Sequence, residues 1–256
     1  MAIGLRLPTA LSRAPLGFDD GVYLASAGAL RTGGLPFVDV YSSQGPAFLP
    51  LLWLADLLAF RTSVSPRLLP VVAGVALTIL VHRLALQASD RAGAAIAALL
   101  VATSGCLLYS TTRIESDGVA MAFAAGAVLV ASRSGVRRDV LAAVLLGVAV
   151  SVKSLLVAPA GLAVLWLIGR RRGWRPAVLV GVGAAGVLVL LALPWGLRAV
   201  WDQSILLHLQ AAEGFDVSVN RELVQRVLRR DKATAGIPEL KRQPLAHSTT
   251  SNNQLG

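Results

Sequence analysis

The chain has 256 residues, 55% hydrophobic and 15% charged, with a mean hydropathy of +0.67. Soluble domains are roughly a quarter charged, so this composition excludes an ordinary soluble globule, and it equally excludes disorder through most of the chain. The net charge of +10 does not mark a nucleic-acid binder, because nine of the 24 Lys and Arg sit in short loops between apolar runs, where they act as a topology signal.

One cysteine, Cys106, excludes internal disulfides and a thiolate zinc site. His82, His208 and His247 are too scattered for a metal cluster. No metal or other cofactor is evident in the sequence.

In chain order, residues 1–17 hold Arg6, Arg13 and two prolines, with no apolar run that could be a signal peptide or a span. Asp19-Asp20 then opens GVYLASAGALRTGG, whose apolar spacing predicts a helix stopped by Gly33-Gly34. Two readings of the acids stand side by side. One is an N-cap that accepts backbone N–H groups. The other is a carboxylate able to take the proton of an attacking hydroxyl.

Residues 37–48, FVDVYSSQGPAF, predict a turn at Gln44-Gly45-Pro46 that launches the next helix. Either this is a plain junction, or Gln44 and the Ser42–Gly45 backbone line a polar groove. The run 46–60 is short, contains Pro50 and Asp56, and ends at Arg61. It is either a seventh span, which would put residues 1–45 in the cytoplasm, or, as its length and polar residues favour, an amphipathic helix lying on the outer membrane face.

Six apolar runs follow, at 68–86, 92–111, 117–132, 139–152, 154–168 and 177–197. Each predicts a membrane span; 139–152 and 154–168, parted only by Lys153, are either two short spans or one kinked helix, and the loop charges favour two spans. Arg83 and Arg91, then Arg133, Arg137 and Arg138, then Arg170, Arg171, Arg172 and Arg175 fill alternate loops, whereas the other connections carry only Arg113 and Lys153. This bias predicts that the arginine-rich loops are cytoplasmic and that residues 1–67, 110–117, Lys153 and the chain after 197 lie outside. Trp195 and Trp201 then fall at the outer interface, and Trp166 and Trp174 at the inner one.

The predicted organisation is an outer first loop with juxtamembrane helices (1–67), a transmembrane bundle (68–197), an outer helical segment (198–231) and a disordered polar tail (232–256).

Two outer loops carry concentrated charge. Arg113, Glu115 and Asp117 crowd into five residues between two spans. They either pair with one another in solvent or face a wet cavity, since acids at the lip of a span are otherwise costly. Lys153 is the single charge between residues 140 and 168. It either snorkels at a tight turn or neutralises a phosphate at the membrane surface.

The stretches GFDDGVYLASAGALRTGGLPFVDVYSSQGPAF, RIESDG and SVKSLL, in this order, resemble the GT-C fold membrane glycosyltransferases that use polyprenyl-phosphate sugars. That superfamily includes the protein O-mannosyltransferases and the lipid A aminoarabinose transferases. The resemblance covers about residues 15–230. It implies an all-α polytopic protein of the plasma membrane with its active face outside.

It also implies a polyprenyl-phosphate sugar as donor and a cell-envelope glycan, lipid or protein as acceptor, with no role for nucleic acid. The family's acidic residue after the first span matches Asp19, its outer-loop Asp matches Asp117 and its outer Lys matches Lys153. Together with the residues singled out above, the candidate catalytic residues are Asp19 and Asp20 and the candidate substrate-binding residues are Tyr23, Gln44, Arg113, Glu115, Asp117 and Lys153. The family's first span has no counterpart here, and the parity of the loops predicts such a span upstream of Met1.

Two rival classes are weighed. Transporters place ionisable groups mid-span, whereas here they gather at one face. A catalytically silent fragment or assembly partner is compatible with the chain's ends.

Overall fold

The computed structural model describes residues 2–11, 17–62 and 64–212. These residues are predominantly helical, and among them the sole β feature is one isolated bridge between Pro36 and Val40. In chain order the helices are α1 (Ala2–Ala10), α2 (Phe18–Arg31), α3 (Phe48–Leu58), α4 (Leu68–Ala85), α5 (Arg91–Thr103) and α6 (Gly105–Thr112). They continue as α7 (Ser116–Ala131), α8 (Val136–Val152), α9 (Ser154–Arg172), α10 (Trp174–Ala192), α11 (Leu197–Trp201) and α12 (Leu207–Ala212). A π turn, Asp202–Leu206, joins the last two, and 3₁₀ turns sit at Ser65–Arg67 and Leu193–Trp195.

Each expected apolar run is helical, and one departs from expectation. The run 92–111 is two helices, α5 and α6, that meet at 58°. The break falls at Ser104-Gly105, where Ser104 takes ψ 121. Adjacent Ser and Gly are a common cause of such a kink. Ser65–Ala85 and Trp174–Trp195, of 21 and 22 residues, are long and apolar enough to cross a bilayer, and the bent pair adds a third if it is one span.

The protein is therefore an all-α membrane protein. Packing is built from small side chains, as membrane helices without a hydrophobic drive between them require. Ala120, Ala127, Ala142 and Ala149 are fully buried. Helix α8 lies against both α7 and α10, while α4 packs on α5 and α7. A single residue, Gly173, turns α9 into α10 with φ +89, a conformation that other residues rarely adopt.

Helix α3 has 11 residues, about 16 Å at 1.5 Å per residue, and is too short to cross a hydrocarbon core of about 30 Å. Its Asp56 is buried and takes a two-pronged contact from Arg31 at 2.8 and 2.7 Å. Burial alone would raise the Asp56 carboxyl, but hydrogen bonds from Arg31 and Ser65 outweigh it and hold the group below its ordinary value. This pair clamps the end of α2 to α3.

A second clamp lies deeper. Arg67 and Asp20 are each about 1% exposed and pair at 2.6 Å. Asp20 also accepts the Ile114 backbone N–H at 2.9 Å. Asp20 therefore does not cap its own helix: Gly17 holds the N-cap position with no side-chain bond. One carboxylate instead fastens α2 to the start of α4 and to the α6–α7 junction.

Arg6 of α1 is likewise buried, with Nε on Thr111 Oγ1 at 2.8 Å and Nη1 on the Ala2 carbonyl at 3.0 Å. Of the expected outer segment 198–231, residues up to 212 are helical or π-turned. Its remainder and the expected tail 232–256 lie outside the described residues.

Removing one partner of a fully buried pair strands the other charge, at a cost of about 3–5 kcal/mol. Asp20→Asn is expected to lower stability by that amount in thermal unfolding of the detergent-solubilised protein. An unchanged midpoint would show that Arg67 finds another anion.

Candidate active site

The elements that build the site are helix breaks and the loop that docks on them. Helix α8 ends at Val152, and Lys153 has extended backbone (φ −150, ψ 93) before α9 begins. A helix end leaves carbonyl groups without intrahelical donors. Two of them are met from far along the chain. Gly45 N–H donates to the Val152 carbonyl at 3.1 Å and Ala47 N–H to the Ser151 carbonyl at 3.0 Å. Glycine is required at 45, because an added Cβ would overlap the Ser151 carbonyl.

The chain before Gly45 is held from the other side. Gln203, in the π turn, accepts the Ser42 N–H at 3.1 Å and donates to the Phe37 carbonyl at 3.0 Å. Ser204 Oγ donates to the Gln44 carbonyl at 2.7 Å. Phe37 is buried with φ 62, a costly conformation for a bulky residue.

The eight residues singled out in the sequence belong to one cluster. Gln44 Oε1 accepts Ser116 Oγ at 2.8 Å, so the loop touches the first turn of α7. The Tyr23 hydroxyl lies 3.4 Å from Ser43 Oγ, and its ring packs edge-on against Phe48 at 4.9 Å. Burial raises the Tyr23 hydroxyl above its ordinary value, and Asp19 and Asp117 add to that, so it stays a neutral phenol. Burial likewise pushes neighbouring Tyr41 up to about 12.

Lys153 is paired with Asp117 across the α8 break, each side chain about a third exposed (31% and 35%). The three charges of the 113–117 loop thus do not simply pair with one another. Arg113 lies over the Tyr109 ring at 3.7 Å, a cation–π contact, and Asp117 takes its cation from another helix.

Glu115 is half-buried, and its carboxyl is raised, first by burial and then by the charges of Asp117 and Asp19, which outweigh Lys153 and Arg113. Asp20 is occupied by Arg67 and the Ile114 N–H, as described above. Asp19 is exposed and makes no side-chain hydrogen bond or ion pair among the described residues. No group of three His, Cys, Asp or Glu among the described residues is placed to hold a metal ion.

Four contributors escaped the sequence reading: Arg67, Ser116, Gln203 and Ser204. Arg67 carried a signal, as a cation at the very start of the first apolar run. Gln203 and Ser204 carried none, since their partners lie some 160 residues away.

Fold and cluster together define a helical membrane protein with a charged, partly exposed site gathered at its helix breaks. The family model described as dolichyl-phosphate-mannose-protein mannosyltransferase matches residues 43–195, and the chain belongs to that family. It is a GT-C-type membrane glycosyltransferase. The match spans the Gln44 loop, the 113–117 loop and Lys153, and begins after Asp19, Asp20 and Tyr23. Neither a curated protein nor a solved structure matches the chain.

Two outcomes follow from this geometry. Gly45→Ala is expected to push the loop off the α8 end, costing about 1–3 kcal/mol as overpacking does. Gly28→Ala meets open space and serves as control. A matching melt for both variants would refute the close-approach reading.

The second outcome concerns pH. Because the Glu115 carboxyl is raised in the fold, its ionised form costs stability at neutral pH. That cost fades as pH falls through the raised value toward the ordinary 4.5. Glu115→Gln should therefore melt higher than wild type near pH 7 and at the same temperature near pH 4. A gap that is independent of pH would contradict the assignment.

Proposed function

We propose that the protein moves a sugar from a polyprenyl-phosphate donor to a hydroxyl acceptor of the cell envelope (a glycan, lipid or protein) at the extracytoplasmic face of the plasma membrane. The loop-charge bias supports this orientation, with the chain crossing six times and residues 1–67 outside.

The chemistry is a single displacement. The acceptor O–H gives its proton to a carboxylate as its oxygen bonds to the anomeric carbon. The bond from that carbon to the phosphate oxygen breaks on the opposite side. The leaving group is a polyprenyl phosphate, and the configuration inverts. Asp19 is the base. The supporting observation is that, of the adjacent acids, Asp20 is buried on Arg67 whereas Asp19 is exposed and unengaged among the described residues.

The leaving phosphate gains negative charge, and fixed cations stabilise it most when water is excluded. Lys153 and Arg113 are the cations of the cluster. The donor phosphate competes with Asp117 for the Lys153 ammonium. Gln44 and Tyr23, held by Ser116 and beside Ser43, line the sugar side, and Glu115 and Asp117 orient hydroxyls.

Turnover can be followed in proteoliposomes as polyprenyl phosphate released from a synthetic polyprenyl-phosphate mannose in the presence of cell-envelope acceptors. Asp19→Asn should lower it by about 10²–10⁴, the usual size of a lost general base. Wild-type turnover in that variant would remove Asp19 from the chemistry.

A further inference from the structure

The opposite, arginine-rich end of the bundle carries a cavity that the glycosyl-transfer chemistry does not use. It measures about 530 Å³ and is lined by Arg83 at the end of α4, Arg133 after α7 and Arg138 on α8, together with Leu86 and Leu141. Among the described residues none of these three guanidinium groups meets a carboxylate. Arg138 reaches only the Ser134 carbonyl, at 3.4 Å. The nearby acid, Asp139, is taken by Arg172.

Three like charges around one cavity repel one another, and an anion seated among them relieves that repulsion.

The cavity does not stop at the arginines. It shares Leu129 and Val130 with a second cavity, of about 340 Å³, whose lining is apolar throughout. Along α4 the linings step from Leu69 through Val72, Ala76 and Leu80 to Arg83. Along α7 they step from Val119 through Ala122 and Gly126 to the shared Leu129 and Val130, just before Arg133. Steps of three and four residues keep one helix face, so the two cavities form one groove.

From residue 69 to residue 83 the groove runs roughly 21 Å along α4 at 1.5 Å per residue. That exceeds half of a hydrocarbon core of about 30 Å. Trp166 and Trp174, exposed by 59% and 69%, flank the arginine-rich turn at α9–α10, and exposed tryptophan marks the headgroup level of a membrane.

We infer that this groove seats one anionic phospholipid, its phosphate among Arg83, Arg133 and Arg138 and an acyl chain along the α4–α7 face. Charge complementarity selects an anionic over a zwitterionic headgroup. The unbroken apolar floor selects a lipid over a free anion. The headgroup site at Arg83, Arg133 and Arg138 lies at the other end of α4 and α7 from Arg67 and Asp117, and so is separate from the phosphate site proposed for the sugar donor.

The test is native mass spectrometry of the full chain released from mixed micelles holding equal phosphatidylglycerol and phosphatidylcholine. Wild type should retain one phosphatidylglycerol with a preference on the order of tenfold or more. The triple variant Arg83→Gln, Arg133→Gln, Arg138→Gln should lose that preference. The triple variant Arg137→Gln, Arg170→Gln, Arg175→Gln removes the same charge outside the groove and should keep it. Gly126→Phe, which fills the apolar part with every arginine intact, should also weaken retention. Equal retention of both lipids by wild type would overturn the inference without any variant. So would equal loss in both triple variants, which would mean diffuse attraction, or undiminished retention in Gly126→Phe.

Discussion

Two backbone hydrogen bonds at the end of α8 organise this site. Ser151 and Val152 are fully buried at this helix end, so their carbonyl groups need protein donors in place of water. Gly45 and Ala47 supply the donors, at 3.1 and 3.0 Å. The same contact leaves Lys153 in extended backbone at the break and brings Gln44 against Ser116. The loop can approach so closely because residue 45 has no Cβ. The break, the lysine and the loop are thus one feature seen from three places in the chain.

The charges divide by burial into two kinds of work. Arg67–Asp20 and Arg31–Asp56 each contain a carboxylate about 1% exposed and hold helices together. Arg113, Glu115, Asp117 and Lys153 are half-buried, and Asp19 is exposed. Groups of that second kind keep access to a ligand while their charges still influence one another, as the raised Glu115 carboxyl shows. In Asp19-Asp20 the division runs between neighbours, because successive residues on a helix point about 100° apart. One faces the packed junction with α4 and the other faces out.

Three further breaks in the helices each carry a polar consequence. The Ser104-Gly105 kink turns α6 so that Thr111 meets Arg6. The extended backbone at Arg113 frees the Ile114 N–H for Asp20. The π turn after α11 aims Gln203 and Ser204 at the 37–44 loop, and π turns recur at functional sites. In a membrane bundle an irregular backbone persists where protein groups satisfy it, and here those groups surround the cluster.

The sequence by itself determined the helical membrane class, the apolar runs and the short loops between them, because hydropathy and charge placement act locally along the chain. It also named the loops at Gln44, Arg113–Asp117 and Lys153 as the places where polarity is out of keeping with a membrane, and those loops meet in space. Tertiary structure alone decided which of Asp19 and Asp20 is buried, that Lys153 pairs with Asp117, and that Gln203 and Ser204 hold the loop of the site. The helix break at Ser104 was hidden inside a continuous apolar run. The physical reason is common to all of these. Hydropathy is a property of each segment, whereas an ion pair, a carbonyl received by a distant N–H, or a clash with an absent Cβ exists only between segments, at separations of up to some 160 residues.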